Sequence, residues 1–366
     1  MENALESIRA VNVDSYYRST RGYTYEEELL QSLGASLTLA TARTEDSIIE
    51  ACRGAGIVLV EHPNTPITRK VIDSLDSCQL IAKYSIGLDN IDLEAASERG
   101  IIVCHAPGYC VEEVSDHAVA LLLCLARHIV FFDRHVQNGG WHDLILDPPM
   151  RRLTTQVVGF LGFGRIARRV ASKMKPFGVR MLCFDPYITA ELSIEHGVET
   201  VDLETLLRTV DYLSIHAPLT PETQHIIGPA QFGLMKSTAW LINTSRGRLI
   251  DEAALTAALS SGTIAGAALD VTEIEPLPSA SALRGMRNVV LTSHHAALSI
   301  ESLQELRTTI AASMEAFCRG YWPDFVANSS VKPRRPLKPW GEFAVLPNRS
   351  VKQEHYAGIL EIRWVG

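Results

Sequence analysis

Short apolar runs alternate with helical patterns along most of this chain. Runs at residues 8–13, 37–39, 57–60, 80–82 and 101–103 read as strands. Thr24 and Glu27 make a capping box that leads into Leu29, Leu30 and Leu33. Shorter helices are predicted over 47–55, 68–75 and 93–99. Repeated β-α-β-α predicts a parallel sheet with helices on both faces. A long helix follows over 111–132, and the Gly- and Pro-punctuated segment 137–149 reads as loop. The alternation then resumes. Strands are predicted at 157–161, 179–184, 212–216, 239–243, 264–270 and 289–292, and helices at 202–209 and 251–261. A last helix runs over 299–319 and stops at Gly320. Residues 332–340 are basic and Pro-rich, so 331–366 reads as an irregular, flexible extension. Its closing apolar run, 359–365, would serve as a strand or a docking tail.

The most informative stretch is 157–186. The run 157–161 ends in Gly162-Phe163-Gly164-Arg165-Ile166-Ala167, a G-x-G-x-x-G/A turn that opens a helix. Gly162 permits the tight turn, Gly164 lets backbone approach a pyrophosphate, and small Ala167 lets helix pack on strand. The free N–H groups and the dipole at the helix start favour phosphates. Asp185 ends the next strand, about 20 residues on, where a carboxylate accepts from ribose hydroxyls. Strand, turn, helix and acid in that order predict dinucleotide binding.

At 366 residues the chain is long enough for two domains. A net charge of −8 argues against general nucleic-acid affinity. Its seven cysteines form no C-x-x-C pair and mostly fall in apolar runs, which suits buried thiols in a reducing, cytoplasmic setting. The first ten residues are acidic and short of apolar side chains, unlike a signal peptide. The longest apolar run, 118–126, is too short to span a bilayer. No cluster has metal-ligand spacing, so no metal is expected. His128, His135 and His142 are seven apart and read as one exposed helix face running into a loop.

Four further segments end predicted strands, on the side where open α/β sheets bind ligands. They are 214–223 (SIHAPLTPET), 243–248 (NTSRGR), 270–276 (DVTEIEP) and 292–297 (TSHHAA). An arginine fork suits a carboxylate or a carbonyl oxygen. Histidine is the side chain best matched to give or take a proton near neutral pH. A carboxylate on the other ring nitrogen would fix the tautomer and stabilise imidazolium.

Together with Asp89-Asn90-Ile91-Asp92 and the glycine loop, these segments resemble the D-2-hydroxyacid dehydrogenase family. The family's NTARGxxVD stands here as NTSRGRLID, its DVFxxEP as DVTEIEP, its TPH as TSH, and its H-x-PLT-x-ET as HAPLTPET. The likeness runs from about residue 57 to 320. The wording over 81–118 is similar to the branch that holds the C-terminal-binding-protein corepressors and their bacterial relatives.

The resemblance implies catalytic roles for Arg246 (carboxylate and carbonyl), His294 (acid/base) and Glu275 (its orienter). It implies NAD contacts from Gly162, Gly164, Arg165, Ile166, Asp185, His216, Ala217, Pro218, Thr223, Thr244, Ser245, Arg246, Asp270 and His294, with Asp270 beside the nicotinamide. Substrate carboxylate would also meet backbone N–H groups of Ser85, Ile86 and Gly87. Arg248 reads as a surface residue. Ser85 stands where the family has glycine, Ser293 where it has proline, Ala296-Ala297 where glycines are usual, and His295 adds a second imidazole beside His294. An ungapped register favours His294 over His295.

The expected fold is α/β: two doubly wound parallel-sheet domains, a Rossmann cofactor domain and a flavodoxin-like substrate domain, with a cleft between them. The cofactor domain would take 105–297. The substrate domain would take 1–104 and 298–330, with 331–366 as the extension. The expected activity is reversible, NAD-dependent reduction of a 2-oxo acid to a D-2-hydroxy acid by a cytoplasmic homodimer that binds neither nucleic acid nor membrane. The alternative is a corepressor-like, NAD(H)-sensing binding protein with weak or residual dehydrogenase activity.

Overall fold

The computed structural model describes residues 8–15, 23–142 and 148–344. The chain divides into two compact units, Met1–Tyr109 with Ser299–Gly366, and Cys110–Leu298.

The first unit holds β1 (Arg9–Asn12), α1 (Thr24–Ser32), β2 (Ser36–Leu39), α2 (Glu45–Ala51), β3 (Ile57–Val60), α3 (Arg69–Asp73), β4 (Leu80–Lys83), α4 (Leu93–Glu98) and β5 (Ile102–Cys104). The strands are parallel in the order β2-β1-β3-β4-β5, the flavodoxin-like arrangement. Side-chain alternation sends Ile57 and Leu59 to one face and Val58 and Val60 to the other. Both faces are covered, which is why this strand reads as an unbroken apolar run. The capping box expected at Thr24 does not form. Helix α1 starts one residue earlier than that box requires, with Tyr23 as N-cap and no side-chain cap bond.

The second unit holds α5 (Val111–Ala126), α6 (Ile129–Gln137), β6 (Val157–Leu161), α7 (Arg165–Met174), β7 (Arg180–Phe184), α8 (Ala190–His196), β8 (Glu199–Thr200), α9 (Leu203–Thr209), β9 (Tyr212–Ile215), α10 (Pro229–Phe232), β10 (Trp240–Asn243), α11 (Glu252–Ser261), β11 (Gly266–Leu269) and β12 (Val289–Leu291). Its parallel sheet runs β12-β11-β10-β9-β6-β7-β8. The chain therefore moves outward from β6 in one direction, returns, and moves outward from β9 in the other. The carboxyl ends of β6 and β9 form the topological switch point, where such sheets bind ligands.

Two expectations fail between α5 and α6. The single helix over 111–132 breaks at His128, whose left-handed backbone (φ 52°) bends the axis by 62°. His128 is not on an exposed face either. It is buried, with ring centroids of Phe131 and Trp240 each 5.4 Å away, and burial lowers its pKa. Among the described residues no single helix is long and apolar enough to cross a membrane. The bent pair α5–α6 meets that measure of length and composition only when taken together.

The chain returns to the first unit through α12 (Ile300–Cys318), whose Leu306, Ile310, Met314 and Phe317 fill the β1–β3–β4–β5 face. Ser299 and Ser302 cap it reciprocally. Arg307 of α12 forms a buried two-point pair with Glu26 of α1, its Nε 2.9 Å from Oε1 and its Nη2 on Oε2. The described part of the tail is packed rather than loose. Val331 is buried, the Arg335 guanidinium stacks 4.3 Å from the Phe317 centroid, and α13 (Trp340–Ala344) buries Phe343. The apolar run 359–365 lies outside the described residues.

Candidate active site

The glycine turn joins β6 to α7. Gly162 has φ +85°, and a Cβ there would lie 2.7 Å from the backbone nitrogen of Ala217. Handedness and crowding both require glycine. Open space surrounds the Cβ position of Gly164. Gly164 is also the N-cap of α7 and brings no side chain to cap its first turn, the helix end that favours an anion. Arg165 is exposed, and Ala167 is fully buried, as helix-on-strand packing requires. Asp185 closes β7 and is half-buried. Its Oδ2 accepts from Phe163 N at 2.6 Å and its Oδ1 from Tyr187 N at 2.8 Å. A carboxylate offers about four lone-pair sites, so acceptor capacity remains for ribose hydroxyls.

That carboxylate sets the cofactor prediction. A 2′-phosphate beside Asp185 would cost about 1–4 kcal/mol of like-charge repulsion, a preference for NADH of roughly tenfold or more. Asp185→Ala narrows that preference. Equal kcat/KM for NADH and NADPH in the unsubstituted protein would contradict it.

His216, Ala217 and Pro218 follow β9. The Nε2 of His216 is 2.8 Å from Ser214 Oγ, and its Nδ1 is sealed from solvent with no hydrogen-bond partner among the described residues. Burial pushes its pKa down to about 4 from 6.5. The folded state therefore resists protonation that the unfolded state accepts below about 6.5. Stability falls as pH drops from there toward 4, with at most about 2 kcal/mol lost between pH 7 and pH 5. His216→Gln flattens that slope in urea titrations at the two pH values, and an unchanged slope would refute the assignment. Thr223 Oγ1 bonds Pro218 O at 2.6 Å and receives Thr220 N at 2.8 Å, so it holds its own turn together.

Beyond β10, Thr244 Oγ1 is another buried polar atom with no partner among the described residues. Asn243 ties the following turn: its Nδ2 donates to Arg246 O at 2.9 Å and its Oδ1 accepts from Ser245 N at 3.0 Å. Ser245 Oγ donates to Ile215 O at 2.9 Å. Arg246 is extended and half-buried, its Nη1 2.8 Å from Ser245 O. Gly247 matters more than its place in a motif suggests. A Cβ there would fall 2.0 Å from the carbonyl of Thr272. Only glycine lets the Arg246 loop lie against the loop that carries Glu275. Arg248 is exposed.

The loop after β11 brings Glu275, and the loop after β12 brings His294. Nδ1 of His294 and Oε2 of Glu275 are 2.7 Å apart, while Glu275 Oε1 accepts from Thr272 N at 3.1 Å. The carboxylate accepts a hydrogen bond from Nδ1–H, which leaves Nε2 as the working nitrogen. The His294 side chain is 33% exposed. His294 has φ +55°, the left-handed region. His295 is exposed, and its Nδ1 stays with Ser293, 3.0 Å from Oγ. Serine in place of the expected proline thus gives His295 a local partner of its own.

Asp270 is buried, with 1% of its side chain exposed. Thr292 Oγ1 (2.6 Å) and His295 N (3.1 Å) meet Oδ1, Ala296 N (3.0 Å) meets Oδ2, and His294 N (2.7 Å) meets the backbone oxygen. It grips the loop that carries the histidine, a part that sequence reasoning missed. Thr292 and His117, 3.0 Å apart, were missed with it.

In the first unit, Ser85, Ile86 and Gly87 follow β4. Ser85 Oγ bonds Gly87 O at 2.6 Å, and His105 Nδ1 lies 3.0 Å from Ile86 O. The backbone at Ser85 is not left-handed, so serine is accommodated where the resemblance implies glycine. Among the described residues no group of three or more His, Cys, Asp or Glu could hold a metal ion.

An open cradle at Gly164, a helix start with no side-chain cap, and two buried polar atoms beyond β9 and β10 with no partner among the described residues suit a dinucleotide. Residues 119–296 match the family model for the NAD-binding domain of D-isomer specific 2-hydroxyacid dehydrogenases. The chain is 42% identical over 282 residues to a glyoxylate reductase of Korarchaeum cryptofilum, covering 76% of this chain and 84% of that protein. It is 36% identical over 311 residues to a D-3-phosphoglycerate dehydrogenase of Methanocaldococcus jannaschii, covering 85% of this chain and 58% of that protein. Among solved structures it is similar to a D-lactate dehydrogenase from Aquifex aeolicus in complex with NAD and lactic acid (TM-score 0.76, 28% identity, 85% and 96% covered). A glyoxylate reductase from Paecilomyes thermophila gives a TM-score of 0.79 at 26% identity, with 89% and 99% covered. The chain belongs to the D-isomer specific 2-hydroxyacid dehydrogenase family. Its cofactor is NAD, and its two parallel-sheet α/β units are those of the family's fold.

Proposed function

We propose that this protein reversibly reduces a 2-oxo acid to a D-2-hydroxy acid. The observation that carries the reading is the 2.7 Å contact between His294 Nδ1 and Glu275. When bound, NAD supplies or accepts the hydride. His294 Nε2 gives a proton to the carbonyl oxygen in reduction and takes it back in oxidation. Glu275 holds the ring in one tautomer and stabilises the imidazolium. Arg246 binds the substrate carboxylate and polarises its carbonyl. Family membership supports a second carboxylate contact from the backbone of Ser85, Ile86 and Gly87. Glycine-loop N–H groups, Asp185, Thr244 and the 216–218 segment hold the dinucleotide.

The names of the relatives support small 2-oxo acids as substrates, glyoxylate among them. Seven free thiols, six of them buried, support a reducing, cytoplasmic setting. Exposed Ile129, Val136 and Trp141 on and beside α6 support a homodimer, which sedimentation would test. Turnover with NADH across a panel of 2-oxo acids decides the activity. Tight NADH binding without turnover of any member would favour the corepressor-like reading.

A further inference from the structure

We propose that His117 is a positioning residue for His294, acting through Thr292 and Asp270; the inference rests on the reading of His294 as the acid/base. His117 lies on α5, 175 residues before Thr292. Its Nε2 is 3.0 Å from Thr292 Oγ1 and 3.7 Å from Asp270 Oδ1. The direction of each bond follows from proton inventory. Thr292 has one hydroxyl proton, and the Asp270 carboxylate, 2.6 Å away, only accepts. Thr292 therefore donates to Asp270, and His117 Nε2–H donates to Thr292.

This relay ends on the loop that holds His294. Asp270 receives the amides of His294, His295 and Ala296 in succession, the first on its backbone oxygen and the others on its carboxylate. Three gripped amides hold a left-handed residue that would otherwise relax, since that backbone is disfavoured for a non-glycine residue. Without the His117 donor, the Thr292 hydroxyl is free to turn, and Asp270 Oδ1 loses a fixed partner. The carboxylate then shifts, the amides it holds shift with it, and the imidazole moves off line. Displacement of about 1 Å at a reacting group costs up to about 10²-fold in rate.

The test uses the full chain, the 2-oxo acid that the panel selects, NADH, and hydrogen exchange of the 292–297 amides read by mass spectrometry. His117→Phe keeps the ring volume and removes the donor. It lowers kcat about tenfold or more, speeds exchange of the loop amides, and leaves the KM for NADH and the melting temperature near their starting values. In His117→Gln the amide nitrogen reaches about as far as Nε2, and both readouts recover. Thr292→Val reproduces His117→Phe, and the double variant is no worse than either single one. Failure of Gln to rescue would reduce His117 to packing between α5 and the sheet. Unchanged loop exchange in His117→Phe overturns the positioning role whatever the activity. A wild-type chain that turns over no 2-oxo acid overturns the reading of His294 itself.

Discussion

His294→Ala lowers kcat by about 10²–10⁴, the range for a lost acid/base, and leaves NADH binding intact. His295→Ala costs far less. The two imidazoles are adjacent in sequence and differ in partners. His294 Nδ1 meets the Glu275 carboxylate at 2.7 Å, and that carboxylate is itself held by Thr272 N. A protonated His294 therefore has a fixed counter-charge, and its free nitrogen has one orientation. His295 is exposed, and its Nδ1 is engaged by its own neighbour, Ser293. Among the described residues no carboxylate pairs with it as Glu275 does with His294. Steady-state kinetics with separate NADH titrations would check the ranking. A larger loss in His295→Ala would move the acid/base role by one residue, and near-normal turnover in both would remove histidine from the chemistry.

Much of the fold was legible because parallel strands buried on both faces leave short, dense apolar runs. The glycine turn and the place of Asp185 after β7 were legible because one strand-helix-strand unit sets both. The segments that carry Thr244, Asp270 and Glu275 were legible as strand ends, while the roles proposed for these residues came from the family resemblance. Three things were not. The bend at His128 carries no glycine or proline, and the apolar spacing runs through it. Gly247 stands in a recognisable motif, yet the motif does not tell that Thr272 backbone passes 2.0 Å from where a Cβ would be. The His117–Thr292 contact joins residues 175 apart, and no periodicity encodes such a meeting. Asp270 shows the remaining limit. Its strand-end position and the family resemblance pointed to a cofactor contact; that its carboxylate also receives the loop of His294 left no mark in the sequence.

Arg246→Lys lowers kcat/KM for the 2-oxo acid by about 10²-fold, through a higher KM and a lower kcat together. The substitution isolates the guanidinium. The backbone of residue 246 is set by Asn243 Nδ2 on its carbonyl and by the close passage of Gly247 against Thr272, and neither involves the side chain. Lysine keeps the charge and loses the planar fork, so the protein can no longer hold a carboxylate and reach the carbonyl oxygen from one group. A charge-assisted hydrogen bond contributes about 1.5–3 kcal/mol, which is roughly 10- to 150-fold. Loss on the carboxylate side raises KM, because that contact exists before the reaction. Loss on the carbonyl side lowers kcat, because charge develops there only in the transition state. NADH affinity changes little if the guanidinium serves the substrate. A ketone without a carboxylate is the control: it is a poor substrate for the unsubstituted protein, and Arg246→Lys penalises it less than it does the 2-oxo acid. Equal turnover of that ketone and the 2-oxo acid by the unsubstituted protein would remove Arg246 from carboxylate recognition, whatever the variant does.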